Sequence, residues 1–334
     1  MMSKAKRLIG MLEYYYQLLN EYSEKIEGPG KLVKIDMLWC SLKYGASPSN
    51  YYNFDFRHAS EKERKTFVTH RISERLMRTL NNPQKVDVMT NKYMFAKAYA
   101  PFYRRDFLNS GEMTVQELST LLQKNRRIIC KPVCGGQGKG IRCFTVDDDN
   151  REMVFQEIKG LPECIVEPWI EQDPEMSRLY PNAVNPLRIQ TVIDHGKPKC
   201  VAATLTVGID SEIANASSRA LFALIDIDTG TVYTDACDYE YRVYKQHPKT
   251  GITFQGFTVP HWDEIKQMVL DAAMVTPELG YVGWDVAVSV DGPIIIEANN
   301  DPGYTAYQLP VLLGKHHGSL ALWKPYLSKR RVNL

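Results

Sequence analysis

Residues 283–305 read GWDVAVSVDGPIIIEANNDPGYT, and this stretch constrains the chain more than any other. Apolar runs on either side of Asp291-Gly292-Pro293 predict a β-hairpin over 281–290 and 294–300. Residues 294–296 read as a buried strand that runs directly into Glu297, Ala298 and Asn299, and Asp285 lies across the turn. A short loop centred on Asp291 pairs position 285 with 297; a register shifted by one makes them diagonal. Either way, two carboxylates and an amide meet within about 5–8 Å at one end of a hairpin. Like charges that close repel unless a cation lies between them. The donors are all oxygen, which points to Mg2+ or Mn2+ rather than Zn2+. The alternative is an exposed strand end with scattered polar groups.

A second stretch, KPVCGGQGKG (131–140), raises the matter of phosphate. A Walker A loop needs a glycine five residues before its Gly-Lys pair and a hydroxyl after it. Here Gly138-Lys139 has Val133 and Gly140 at those positions. A dinucleotide fingerprint fails as well, because Cys143 stands where its third glycine belongs. RIIC (127–130) and IRCFTV (141–146) flank the loop and are strand-like. The segment therefore reads as strand, glycine flap, strand. Bare backbone N–H groups in such a flap approach phosphate oxygens without Cβ clashes. An ordinary flexible hairpin is the alternative.

The chain has 334 residues, which predicts two or three subdomains. A hydrophobic content of 44% with 24% charged residues belongs to a globular protein. No apolar run approaches the roughly 20 residues of a membrane span, and no signal-like apolar segment follows the start. Seven cysteines, an odd number, agree with a reducing compartment, so a cytoplasmic location is expected. Cys130 and Cys134 are spaced for neither a zinc knuckle nor a redox pair. Net charge is +2, which gives no reason to invoke nucleic acid. Residues 1–160 hold 27 Lys and Arg against 18 Asp and Glu, while 161–334 hold 14 against 21. A basic part gripping phosphates opposite an acidic part holding a metal gives such an asymmetry; so does chance.

Apolar residues at 8, 9, 12, 15, 16, 19 and 22 predict an N-terminal helix over 4–27, stopped by Gly28-Pro29-Gly30. Its basic start suits either a core-packing helix or an anionic membrane surface. Asn91 is expected to cap a helix over 91–102. Thr114 with Glu117 forms a capping-box pattern for a helix over 114–125. Further helices are expected over 151–160 and 262–275, strands over 186–194 and 200–210, and over 163–172 a stretch that starts as a strand and ends in an acidic loop. The class is therefore α/β or, with separated elements, α+β. The expected division is a helical region 1–83, a flap-bearing subdomain 84–165 and a metal-bearing subdomain 166–334.

Taken in order, several motifs resemble the ATP-grasp superfamily over about 84–310. They are Lys92 opening a helix, CKPVCGGQGKG, VEPWIEQDPE, and WDVAV followed by IEANNDPGYT. NPLRIQTV, HPKTGITFQGFTVPHW and the helical start look more closely like the sugar-transfer-associated ATP-grasp branch. The resemblance implies two α+β subdomains clasping ATP. It implies Lys92 and Lys131 on the ATP phosphates, a flap of Gly135, Gly136, Gly138 and Gly140, and Lys139 near the γ-phosphate. Glu167, Pro168, Trp169 and Ile170 would form the adenine hinge and Glu175 would meet the ribose. Asp285, Glu297 and Asn299 would hold Mg2+ or Mn2+. Asn185 and Arg188 match the branch's N-x-x-R, and Arg188 is the candidate for developing phosphoryl charge. His247 is a candidate for the acceptor site, or else a surface turn histidine. Residues 216–226 depart from the branch, which has a glycine pair after Asn215; the loop is expected to face the acceptor.

The resemblance implies a ligase that forms a C–N amide bond from ATP, a small-molecule carboxylate and an amine, through an acyl phosphate. A sugar-linked substrate and a role in polysaccharide biosynthesis follow from the branch alone. A kinase-like phosphotransferase of the same fold, or a nucleotide-binding scaffold in glycan assembly, are the competing readings.

Overall fold

The computed structural model describes residues 4–123, 126–136, 138–210 and 220–327. Its backbone falls into two compact units, one of residues 1–79 with 303–334 and one of residues 80–302. By packing, the C-terminal segment thus groups with the N-terminal helices, whereas the expected division kept 303–334 with the residues before it.

The first unit is helical. Helices α1 (Lys4–Glu24), α2 (Gly30–Tyr44) and α3 (Pro48–Asn53) enclose a core of Leu19, Val33, Met37, Tyr51, Phe54, Phe56 and Phe67. The glycine stop after 27 separates α1 from α2, which starts at Gly30 itself. Gln308, fully buried, ties the C-terminal segment in by exchanging hydrogen bonds of 2.8 and 3.0 Å with the Val68 backbone.

The second unit holds two antiparallel sheets. Strands β1 (Leu108–Asn109), β2 (Arg127–Pro132), β3 (Arg142–Thr145) and β4 (Cys164–Pro168) pair in the order β1-β4-β2-β3. Strands β5 (Leu187–Asp194), β6 (Lys197–Val207), β7 (Leu221–Ile225), β8 (Ala236–Cys237), β9 (Val243–Tyr244), β10 (Tyr281–Ser289) and β11 (Gly292–Asn299) pair in the order β11-β10-β5-β6-β7-β8-β9. Because the pairings are antiparallel, the class is α+β.

Helix α4 (Lys92–Ala98) begins at Asn91, whose side chain accepts from the N–H groups of Tyr93 and Met94, as its position in the sequence predicts. Helix α5 (Val115–Leu121) carries the full Thr114–Glu117 capping box, but ends four residues before the expected 125. Together with α6 (Arg151–Lys159) it covers one face of the smaller sheet, burying Leu118, Val154 and Ile158 against Ile128, Cys130 and Val166. Strand alternation then turns Ile129 and Lys131 of β2, and Ile165 and Glu167 of β4, to the opposite face. Helix α7 (Pro174–Leu179) follows β4, and α8 (Trp262–Ala273) packs its Ile265, Met268 and Val269 stripe into the main core beside Ile189, Trp284 and Val286.

One expectation needs correction here. Residues 221–225 were expected in the acceptor loop, yet they form β7, buried along its whole length. Five consecutive apolar residues belong in a sheet interior, not on a loop. Positions 216–219 of that segment lie outside the described residues.

Candidate active site

The hairpin of β10 and β11 contains the irregularity that builds the site. Near the turn, Ser289 pairs with Gly292 and Val286 with Ile295; past a β-bulge, Asp285 pairs with Glu297. Without the bulge, Asp285 would face Ile296 instead. The extra residue thus puts both carboxylates on one face. On its other edge Asp285 pairs with Arg188 of β5, which pairs with Thr204 of β6. Glu297, Asp285, Arg188 and Thr204 therefore form a row across four strands.

Arg188 grips both oxygens of Asp285, from Nε and, at 2.8 Å, from Nη2. Asn299 Nδ2 lies 3.5 Å from Asp285 Oδ2. Burial and the adjacent Asp285 push the Glu297 carboxyl above its ordinary range, while Lys92 and Lys131 pull the other way. Among the described residues no cluster of three or more His, Cys, Asp or Glu is found, and at this hairpin they offer a cation the two carboxylates of Asp285 and Glu297.

A solvent-open cleft with a cavity volume of about 180 Å³ is lined by the carboxylate end of this row. Lys92, Lys131 and Lys139 line it together with Gly135, Gly136, Gly138, Asp285 and Glu297. Ile129, Ile141, Ile170, Val184, Ile296 and Trp169 give it apolar walls. The flap is anchored where it leaves β2: Lys92 N donates to Val133 O at 2.8 Å and Lys92 Nζ to Gly135 O at 2.6 Å. Gly140 has φ +77°, and a Cβ there would stand 2.9 Å from Pro132 Cγ, so this position takes glycine on two counts.

Lys131 and Glu167 belong to a buried group whose other members, Arg105 and Tyr103, sequence reasoning missed. Glu167 is 1% exposed and faces two cations: Lys131 Nζ at 2.9 Å and Arg105 Nε at 3.0 Å, both on Oε2. The Tyr103 hydroxyl donates to Oε1. Burial opposes ionisation of Glu167, but Arg105 and then Lys131 more than offset it, holding the carboxyl down at about 2. Lys131 is the weaker of the two cations: burial and Arg105 lower its pKa against the pull of Glu167. Arg105 also stacks over the Tyr103 ring at 3.5 Å and donates to the carbonyls of Ile295, at 2.9 Å, and Ile296, at 3.5 Å, at the bulge. One guanidinium thus supports both the lysine strand and the hairpin. The only sequence signal was a pair of arginines after an aromatic helix end, and its neighbour Arg104 is an exposed partner of Glu264.

Ten expected site residues line the cleft: Lys92, Lys131, Gly135, Gly136, Gly138, Lys139, Trp169, Ile170, Asp285 and Glu297. Others do not. Pro168 is half-buried within β4, where it pairs with Ile128. Glu175 is exposed in the first turn of α7 and bonds Arg178 at 2.6 Å. Asn185 is fully buried and donates to Met176 O and Tyr180 O at 3.0 and 2.9 Å. His247, expected at the acceptor site, is buried in its own turn. Its Nε2 bonds Gly208 O at 2.8 Å and its Nδ1 faces the N–H groups of Lys249 and Thr250 at 3.3 Å. Nδ1 as acceptor makes Nε2 the protonated nitrogen, and burial lowers the pKa accordingly. Both ring nitrogens are thus committed to backbone.

No curated protein matches the chain. Among solved structures it is similar to the ATP-grasp ligase PsnB complexed with minimal precursor, at 14% identity over 69% of this chain and 57% of that one, with a TM-score of 0.41. It is similar to an ADP complex of the N5-carboxyaminoimidazole ribonucleotide synthetase purK, at 14% identity over 67% and 48% and a TM-score of 0.40. It is also similar to D-alanyl-alanine synthetase A from Vibrio cholerae, at 12% identity over 74% and 66% and a TM-score of 0.43. The chain spans 57% and 48%, about half, of the first two. A model of the sugar-transfer associated ATP-grasp family matches residues 71–317. That span is well over half the chain, and the chain therefore belongs to the sugar-transfer associated ATP-grasp family, with its α+β fold.

Proposed function

We propose that the protein is an ATP- and Mg2+-dependent carboxylate–amine ligase. The observation that carries this reading is the content of one cleft: a glycine flap, three lysines and a carboxylate pair backed by Arg188. The apolar walls beside Trp169 suit a purine ring, and the lysines suit the phosphate chain. The γ-phosphoryl group passes to a carboxylate oxygen, ADP leaves, and an amine attacks the acyl carbon and expels phosphate; its proton passes to solvent. Little of this needs a covalent nucleophile on the protein, so positioning and charge stabilisation carry the catalysis. The flap keeps water from the acyl phosphate.

The hairpin fits a divalent cation in part. The raised pKa of Glu297 marks a carboxylate whose charge is under-compensated, and Asn299, whose Nδ2 faces Asp285, would offer its amide oxygen. Both oxygens of Asp285 are engaged by Arg188, so Asp285 is shared between the guanidinium and any metal. When bound, the cation would neutralise phosphate charge. Arg188, which holds Asp285, would contribute positive charge near the transferring group. Glu175, Asn185 and His247 have no role in this proposal. The family's tie to sugar transfer supports a sugar-linked acid or amine, in the tailoring of a glycan or related metabolite.

Hydroxylamine tests the reading before the amine is known. Protein, ATP, Mg2+, a panel of acids including uronic and amino acids, and hydroxylamine should give a hydroxamate with ADP and phosphate in equal amounts. A stable phosphorylated product without hydroxamate would mean a kinase. AMP with pyrophosphate would sink the acyl-phosphate route, and no ATP consumption with any acid would leave a scaffold.

A further inference from the structure

Helix α2 has two apolar faces. Val33, Met37 and Cys40 point into the core of the first unit. On the opposite side stand Leu32, Ile35, Trp39 and Leu42, exposed by 62, 62, 53 and 75%. Their spacing of three, four and three residues makes a continuous solvent-side stripe. The outer half of α1 repeats the pattern, with Ile9, Leu12 and Tyr16 exposed by 54, 61 and 63%. The two helices run antiparallel, tied by Tyr15 to Ser41 and by Lys34 to Asn20. A core accounts for one apolar face of a surface helix and leaves the second unexplained.

The charges beside the α2 stripe are mostly positive, while Glu13 lies within the exposed face of α1, four residues from Ile9 and three from Tyr16. Between residues 28 and 54 the cations are Lys31, Lys34 and Lys43, and the only acid is Asp36. Asp36 is engaged by the Arg64 guanidinium at 3.0 and 2.8 Å, on the core side of the helix. Lys43 reaches Glu61 of a following helix and lies 5.3 Å from the Trp39 ring. In α1 no acid precedes Glu13. A two-fold contact that brought the α2 stripes together would set Lys31 and Lys34 near their own copies, with Asp36 already held by Arg64 and Glu61 by Lys43 and Lys65. A lipid surface bearing negative charge meets both features: aliphatic side chains enter the acyl boundary, Trp and Tyr sit at headgroup depth, and lysines remain among phosphates. No helix among the described residues is long and apolar enough to cross a membrane, so the helices lie on the surface rather than span it.

We propose that the α1–α2 hairpin is a docking surface for an anionic membrane. This holds whatever reaction the cleft performs.

The test is co-sedimentation of the full chain with phosphatidylcholine vesicles, with and without phosphatidylglycerol. Binding should be about tenfold stronger to the anionic vesicles and fall steeply with salt. The double variant Trp39→Ser, Leu42→Ser should lose about tenfold in vesicle affinity while keeping its unfolding transition, and Lys31→Glu should weaken binding to anionic vesicles alone. If the double variant fails to fold, quenching of tryptophan fluorescence by brominated phosphatidylglycerol gives the same reading, with Trp39→Phe removing the signal. Failure to bind anionic vesicles, or binding that the double variant leaves unchanged, overturns the proposal. So does a dimer in light scattering that the double variant splits while vesicles are ignored, since the occupant is then a second copy.

Discussion

Glu167 and Glu297 are two largely buried glutamates in one unit, each near the end of a strand beside the cleft, and their electrostatics are opposite. Glu167 stands between Arg105 and Lys131 and is held ionised at about 2. Glu297 stands beside Asp285, and burial with that neighbour raises its pKa. Burial is common to both, so the partner decides the difference. A buried carboxylate with two cations is part of the scaffold. A buried pair of carboxylates with one guanidinium, bonded to Asp285 alone, is chemically prepared for more positive charge.

The largest expected effect lies on the scaffold side. Arg105→Met leaves Glu167 with Lys131 as its one cation beside the Tyr103 hydroxyl and frees the bulge carbonyls, so stability should fall by about 3 kcal/mol or more in urea unfolding. A loss under about 1 kcal/mol would mean that Glu167 does not depend on its guanidinium. Lys131→Met should do less to stability, because Arg105 still pairs Glu167, but nucleotide affinity by calorimetry should drop at least about tenfold. Equal nucleotide affinity would remove Lys131 from the site.

Acid titration sharpens the contrast. The folded pKa of Glu167, about 2, lies below its ordinary 4.5. Its contribution is therefore complete above about pH 4.5 and is lost as pH falls from there toward 2. Urea unfolding at descending pH should show that loss, and Glu167→Gln should flatten this part of the curve. A variant with the wild-type pH dependence would assign the acid loss elsewhere.

The smallest effect concerns His247. Its two backbone hydrogen-bonding nitrogens suggest that His247→Asn costs about 1 kcal/mol of stability and leaves nucleotide affinity and hydroxamate formation unchanged. A selective loss of turnover at unchanged stability would return His247 to the acceptor site.

These expectations also mark what the sequence made legible. The flap, the hairpin and the Asn91 and Thr114 caps rest on local pattern, and local pattern was enough. The pairing of Asp285 with Glu297 was one of two open registers, and it depends on a bulge at Ile296 that alternation alone does not reveal. Arg105 was invisible because its partners lie more than sixty residues away, on β4 and β11, and nothing nearby separates it from exposed Arg104. His247 reads as a turn residue because its burial depends on Tyr180, distant in sequence, as well as on nearby Phe254. The outward face of α2 hides in the composition, since a helix apolar on two sides shows no single periodic stripe.

The claim that Glu297 is prepared for a cation, and Glu167 is not, is tested most directly by thermal unfolding of wild type and Glu297→Gln with ATP, with and without Mg2+. For wild type, Mg2+ should add to the protection given by ATP. For Glu297→Gln, unfolding without ligand should occur at the same or a higher temperature, because one of two adjacent buried charges is gone, and the Mg2+-dependent increment should vanish. An increment equal to the wild type's would contradict the account and put the cation somewhere other than this hairpin.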